Sequence, residues 1–351
     1  MTATKLGPLM IDLAGPTITA QERELLKSPL VCGVILFSRQ FENKAQIRHL
    51  IAELRAIRDP RLLIAVDHEG GRVQRFRSEF TVIPPMRSLG ELHNKNPEYA
   101  LHLAYACGFI IAVELIEIGI DLNFGPVLDL DNPESGVIGD RSFNADPNIT
   151  ALLAKQVIRG MNEAGMRAIG KHFPGHGGVK EDSHLERPID HRTLDDLKAN
   201  DLKVFAELFE FGLPGIMTAH IMYDQIDPLL VTYSQHWLKE ILRDQMKFKG
   251  VVFSDALDML AAAQGSYVAR VKNALQAGCD ITLLCNISQE LPQVADKLKN
   301  ENFPDTLAKI QVLYARPKPR EVTKAEALRE EIARFYNEKQ PVSSGEYARK
   351  G

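Results

Sequence analysis

From Leu9 to about Asn300 the chain alternates short, continuously apolar runs with longer segments in which apolar residues recur at helical spacing. A strand that is apolar at every position must be covered on both faces, which is the condition of strands in a parallel sheet flanked by helices. The alternation therefore predicts repeated βα units. Strands are expected at Leu9–Leu13, Gly33–Phe37, Leu62–Val66, Leu122–Leu130, Arg167–Gly170, Gly215–Thr218, Val251–Phe253 and Ile281–Leu284. Between them, Lys44–Arg58 places Ile47, Leu50, Ile51, Leu54 and Ile57 on one helical face, and Leu194–Phe211 does the same with Leu197, Val204, Phe205 and Leu208. The number of strands matches a closed barrel, a single (β/α)8 TIM barrel over residues 1–300. The alternative is an open doubly wound sheet, but no glycine-rich phosphate fingerprint follows the first strand.

After Asn300 the order changes. Two helical segments, Thr306–Ala315 and Lys324–Tyr336, flank a Pro- and charge-rich connector, Arg316–Thr323. They predict a C-terminal helical extension over 301–340 packed on the barrel, with a disordered tail over 341–351. A chain of 351 residues with 45% hydrophobic content can bury one large core of this kind. The net charge of −4 gives no bulk attraction to nucleic acid or anionic membranes. The first residues carry one early lysine and a short apolar run broken by Asp12, so neither a signal peptide nor a spanning helix is expected there, and the cytoplasm is the expected location. Cys32, Cys107, Cys279 and Cys285 lack metal-ligand spacing and fit reduced, partly buried thiols.

Barrel enzymes carry their reactive groups at the C-terminal ends of the strands. Here Asp67, with His68, Glu69, Gly70, Gly71, Arg72 and Arg75, follows the third strand, and Arg141 lies in the loop after the fourth. Lys171 and His172 end the fifth strand, His220 the sixth, Asp255 the seventh and Asn286 the eighth. Lys171 opens a run to His184 whose Pro174, Gly175, Gly177 and Gly178 forbid regular structure, and loops held by rigid strands are where catalysis concentrates. Each residue also has a plainer reading. Asp67 or Asp255 can cap a helix, Arg141 can pair with Asp140 or Asp129, Gly70 and Gly71 can simply make a turn, His220 can be a satisfied core histidine, and His176 can organise its loop. A zinc site drawn from His68, His172, His220 and Asp255 is a further reading, opposed by the lack of His-x-His at a strand end and by Lys171 beside His172.

The segments Val66 through Arg75, Ile138 through Phe143, Lys171 through His184 and Phe253-Ser254-Asp255 resemble the motifs of the NagZ-type β-N-acetylglucosaminidases of glycoside hydrolase family 3, and the similarity covers nearly the whole chain. The resemblance implies a single (β/α)8 barrel with Asp255 as nucleophile, Asp182 with His184 as acid/base pair, and Asp67, Arg75, Arg141, Lys171 and His172 as sugar-binding residues. It implies no metal and no cofactor. Its substrates would be peptidoglycan-derived muropeptides, with no nucleic acid or membrane partner, and a monomer is the expectation. A phosphorylase on the same scaffold, or a non-catalytic sugar-binding barrel, are the alternatives. Two positions depart from the pattern: His68 stands where the family usually has Gln, and Ala256 where it has a second Asp. Asp182 and His184 are two apart, so in an extended segment they project to one face, where the carboxylate can hold one ring nitrogen and leave the other for substrate.

Overall fold

The structure, a computed structural model, describes residues 6–133, 135–180, 183, 187–319 and 322–339. Eight strands form the barrel: β1 (Leu9–Ile11), β2 (Val31–Leu36), β3 (Leu63–Val66), β4 (Leu122–Asn123), β5 in two consecutive runs (Arg167–Ala168 and Gly170–Phe173), β6 (Gly215–Thr218), β7 (Val251–Ala256) and β8 (Ile281–Leu284). Every pairing is parallel, and β1 lies between β2 and β8. The first run of β5 pairs with β4 and the second with β6, so this one strand closes the ring. Helices α1 (Ala20–Lys27), α2 (Lys44–Ala56), α3 (Met86–His93), α4 (Pro97–Glu117), α5 (Pro147–Ala164), α6 (Leu194–Ala199), α7 (Asp201–Glu210), a π-helical run His236–Gln245, α8 (Tyr267–Ala277) and α9 (Leu291–Leu298) fill the connections.

The strands are covered on both faces, as their uniform apolarity requires. Met10, Cys32, Ile35, Leu63, Leu122, Ile169, Met217, Phe253 and Leu283 point into the barrel, while alternate residues such as Ile11, Val34, Ile64, Ile216 and Val252 join the shell beneath the helices. Helix α4 is apolar all round and, with a mean hydropathy of 1.8, is long enough to cross a membrane by length and composition, but 67% of that stretch is buried inside the protein. It is a core helix crossed closely by α5, where a Cβ on Gly108 would come within 2.0 Å of the Val157 carbonyl oxygen.

Beyond the barrel, α10 (Leu307–Gln311) and α11 (Val322–Lys339) follow. Ile310 and Leu313 join the barrel's interior cluster, Leu6 N donates to Asp305 Oδ1 (3.0 Å) and Thr306 N to the Leu6 carbonyl (2.9 Å), so this segment seals the end where the strands begin. Helix α11 packs on α4, with Arg329 Nε donating to Glu114 Oε1 (2.9 Å) and the Lys324 ammonium over the rings of Tyr105 and Phe109. The expected disordered tail lies outside the described residues. All four cysteines are free and buried.

Several boundaries differ from the sequence expectation for identifiable reasons. The expected long strand Leu122–Leu130 is regular only over Leu122–Asn123. Pro126 has no N–H to give a ladder, and pairing resumes only as a bridge between Val127 and Lys171. The fifth strand runs on past Gly170 through Lys171 and His172, because both polar side chains find buried partners. The expected helix Leu194–Phe211 breaks at Asn200 into α6 and α7, and Thr306–Ala315 is helical only over Leu307–Gln311.

Candidate active site

The C-terminal strand ends surround a cavity of about 320 Å³ lined by Asp67, Glu69, Arg75, Arg141, Lys171, His172, His176, Ser183, Asp255, Asp258 and Asn286 among others. A larger groove of about 570 Å³ lies outside the barrel between α4, α5 and the start of α11, and it gathers none of the strand-end side chains. The strand-end polar groups therefore meet in the smaller cavity.

After β3 the chain makes a hairpin, His68–Gly70 against Val73–Gln74. Gly70 (φ 107°) and Gly71 (φ 53°) turn it, and a Cβ on Gly70 would come within 2.7 Å of the Pro84 carbonyl oxygen, so the turn needs glycine for both angle and space. Alternation along the strand sends Asp67 and Glu69 to the cavity and His68 away from it. His68 packs beside Phe76 and Phe80, and burial, with Arg77 and Arg75 nearby, lowers its pKa to about 3. The departure at His68 thus changes the wall behind the hairpin and does not touch the cavity.

Lys171 reaches across from β5. Its Nζ lies 2.6 Å from Asp67 Oδ1 and 2.6 Å from Glu69 Oε1, with 3% of the lysine side chain exposed. Arg141 grips Glu69 through Nε and Nη2, both at 2.8 Å. Arg75 Nη2 stands 3.4 Å from Asp67 Oδ2. Burial opposes charge on Glu69, but Arg141 and Lys171 outweigh it and hold the carboxyl well below its usual range. Burial likewise opposes charge on Lys171, and Asp67 and Glu69 reverse that, raising its pKa. Arg141 pairs with Glu69 rather than with Asp140 or Asp129; Asp140 faces Arg72 at 3.7 Å.

His172, next on β5, sets Nδ1 2.7 Å from Asp129 Oδ2. His176 donates its backbone N–H to Asp129 Oδ1 (2.7 Å), and its Nε2 meets Ser183 Oγ at 3.2 Å. Burial and the neighbouring His172 lower the His176 pKa to about 4, so its ring is neutral and serves the loop. Ser183 in turn accepts the Ala261 N–H at its carbonyl (3.1 Å), which fixes this point of the loop at the cavity beside β7. The expected acid/base pair, Asp182 and His184, lies on either side of Ser183 and outside the described residues.

Asp255 enters the cavity from the end of β7, accepting its neighbour's backbone N–H, Ala256 N to Oδ1, at 2.7 Å. No helix follows at once, and Asp258 lines the same cavity. Asn286 Nδ2 donates to Asp258 Oδ2 (2.9 Å) and Asn286 N to Asp12 Oδ2 (2.8 Å), which places the eighth strand end as a support for two carboxylates. Burial raises the Asp258 pKa, partly offset by Asn286. His220 is the satisfied core histidine, between Thr232 Oγ1 (2.8 Å) and the Ala256 carbonyl (3.0 Å). Among the described residues no three His, Cys, Asp or Glu side chains converge as metal ligands would.

The structure thus brings Asp67, Arg75, Arg141, Lys171, His172 and Asp255 together and leaves His220 out. Sequence reasoning gave no role to Glu69, Asp129 or Asp258. Only Glu69 had a readable signal, its spacing of two from Asp67.

A (β/α)8 barrel whose strand ends pool carboxylates, imidazoles and paired cations in one cavity is laid out as a barrel enzyme. Residues 1–313 match the model of the glycosyl hydrolase family 3 N-terminal domain. The chain is 48% identical over 312 residues to a β-hexosaminidase of Thioalkalivibrio sulfidiphilus, covering 89% of this chain and 90% of that one. It is 50% identical over 294 residues to a β-hexosaminidase of Nitrosomonas eutropha, covering 84% and 83%. The crystal structure of native NagZ from Neisseria gonorrhoeae superposes with a TM-score of 0.88 at 40% identity, over 95% of this chain and 98% of that one. The same enzyme has been solved in complex with N-trifluoroacetyl-D-glucosamine. The chain belongs to glycosyl hydrolase family 3, among its NagZ-type β-hexosaminidases.

Proposed function

We propose that the protein is a retaining exo-β-N-acetylglucosaminidase that removes terminal GlcNAc from peptidoglycan-derived muropeptides, GlcNAc-anhydroMurNAc peptides, in cytoplasmic cell-wall recycling. The observation that carries the reading is that a wall of paired charges, Asp67, Glu69, Arg141 and Lys171, lines one cavity with a further carboxylate, Asp255. Asp67 retains acceptor capacity beside Lys171 and Arg75 for a pair of sugar hydroxyls, while Arg141, Lys171 and His172 frame the ring. The bound N-acetylglucosamine analogue of the Neisseria gonorrhoeae enzyme supports the same sugar here. Four buried, free cysteines accord with a reducing compartment.

In this mechanism Asp255 attacks the anomeric carbon, the bond to the leaving oxygen breaks, and His184, oriented by Asp182, gives that oxygen its proton. Water then attacks the anomeric carbon, His184 takes the water's proton, and Asp255 leaves as carboxylate. The test is trapping. A fluorinated GlcNAc donor that slows the second step should leave its mass on the peptide containing Ser254-Asp255-Ala256. A label on another carboxylate, or an inverted product by NMR, overturns the assignment.

A further inference from the structure

Asp129 has no part in the mechanism above, yet it sits directly behind a sugar-binding residue. It is fully buried, on the extended stretch after β4. The bridge between Val127 and Lys171, with Leu128 N donating to the Lys171 carbonyl at 2.6 Å, lays that stretch along β5 and brings Asp129 against His172. Its Oδ2 lies 2.7 Å from His172 Nδ1. Its Oδ1 accepts the backbone N–H groups of His172 (3.0 Å) and His176 (2.7 Å). Ser142 Oγ donates to its carbonyl at 2.7 Å, anchoring the backbone as well. Burial alone would favour a neutral carboxyl, but His172 and then His176 overcome it and hold Asp129 below the usual carboxylate range.

We propose that Asp129 is a positioning residue for sugar binding: it keeps a proton on His172 Nδ1, turns the Nε2 edge to the cavity, and ties that ring to the start of the glycine-rich loop. The proposal rests on the sugar-hydrolase reading. An ionised carboxylate offers only lone pairs, so the ring nitrogen facing it must carry hydrogen. In neutral His172 the lone pair is then at Nε2, where it can accept from a sugar hydroxyl. The same carboxylate holds the His176 N–H, and His176 holds Ser183, so the sugar-binding ring and the loop share one anchor.

Asp129→Asn separates this role from simple packing. The amide oxygen can keep the two backbone N–H groups, but its NH2 then faces His172 Nδ1 and forces the proton to Nε2, turning an acceptor for the sugar into a donor. The full-length protein with 15N-labelled histidine, with His172 assigned from His172→Gln, reports the tautomer directly at pH 8.5. Wild type is expected to show hydrogen on Nδ1, and Asp129→Asn on Nε2. Affinity for GlcNAc and kcat/KM on a chromogenic N-acetylglucosaminide should fall about 10- to 100-fold in Asp129→Asn, the worth of a charge-assisted hydrogen bond. The loss should largely vanish when measured in a His172→Gln background. A neutral wild-type His172 protonated only at Nε2, or full additivity of the two substitutions, would overturn the proposal. The wild-type spectrum decides even if the Asp129 variant does not fold. Failure of wild type to cleave the N-acetylglucosaminide would instead strike the functional reading and leave the tautomer result standing.

Discussion

On the β3–β5 wall of the cavity Asp67 and Glu69 face cations and Asp129 faces an imidazole, and the pKa values of Glu69 and Asp129 are driven down. On the β7–β8 wall burial outweighs the available donors: Asp258, which accepts from the neutral amide of Asn286, is pushed up. The first wall is a set of fixed charges already balanced among themselves. Such a wall can present oriented acceptors and donors to hydroxyl groups without reorganising. On the second, Asp258 is met by a neutral amide and by backbone groups, and burial is the larger effect.

The sharpest way to break this division is Asp255→Ala. If the reacting carboxylate is there, kcat/KM on a chromogenic N-acetylglucosaminide should fall about 10⁴-fold or more, while the thermal midpoint and GlcNAc affinity stay near wild type. A loss of only about tenfold would move the reaction off this wall.

Glu69→Gln attacks the other wall. It leaves Arg141 and Lys171 buried with one carboxylate fewer, and removing one member of a buried ion cluster costs about 3 to 5 kcal/mol. Because the Glu69 pKa is depressed below its ordinary 4.5, its contribution is present above about that pH and is lost as pH falls further. Urea unfolding at pH 7 should show the loss, and the gap between variant and wild type should narrow as the buffer is taken below pH 4.

How much of this was legible in the sequence depends on distance along the chain. Gly215–Thr218 and Ile281–Leu284 were readable to the residue because a strand buried on both faces is apolar throughout. The fifth strand was cut short at Gly170 because Lys171 and His172 look like loop residues until their partners are known, and those partners stand 104 and 43 residues away. Asp129 is invisible for the same reason, since its partners His172 and His176 lie 43 and 47 residues on, whereas Glu69 carries the one local signal of its spacing from Asp67. Asn200, by contrast, sits inside a good helical period, and its break between α6 and α7 brings Asp201 to Arg192 (2.7 Å), a contact no local pattern encodes.

A smaller effect separates the cavity lining from the ions it carries. His176 has its pKa lowered from 6.5 to about 4, so its contribution to stability is fully present above about pH 6.5 and is lost as pH falls toward 4. Between pH 7 and pH 5 that amounts to about 2 kcal/mol. His176→Gln should therefore flatten the decline of unfolding free energy over this range, whereas an unchanged slope would place the acid sensitivity in other groups such as His68.

The smallest expected effect is the most telling for the comparison, because it makes the same chemical change as Glu69→Gln on the opposite wall. In Asp258→Asn the amide oxygen can still accept from Asn286 Nδ2, so that bond is retained. What disappears is a charge that burial disfavours and that Asp255 further opposes. A carboxyl with a raised folded-state pKa is most favourable to folding below its unfolded value of 3.8 and becomes a liability as pH rises through the folded value. Asp258→Asn should consequently raise stability by about 1 kcal/mol or less at pH 7 to 8 and have no effect at pH 3. Thermal unfolding at the two pH values reads the difference. A gain at neutral pH beside the large loss in Glu69→Gln shows two walls with opposite charge balance, while a loss of stability in both variants would mean that Asp258, too, is held by a cation and that the walls are built alike.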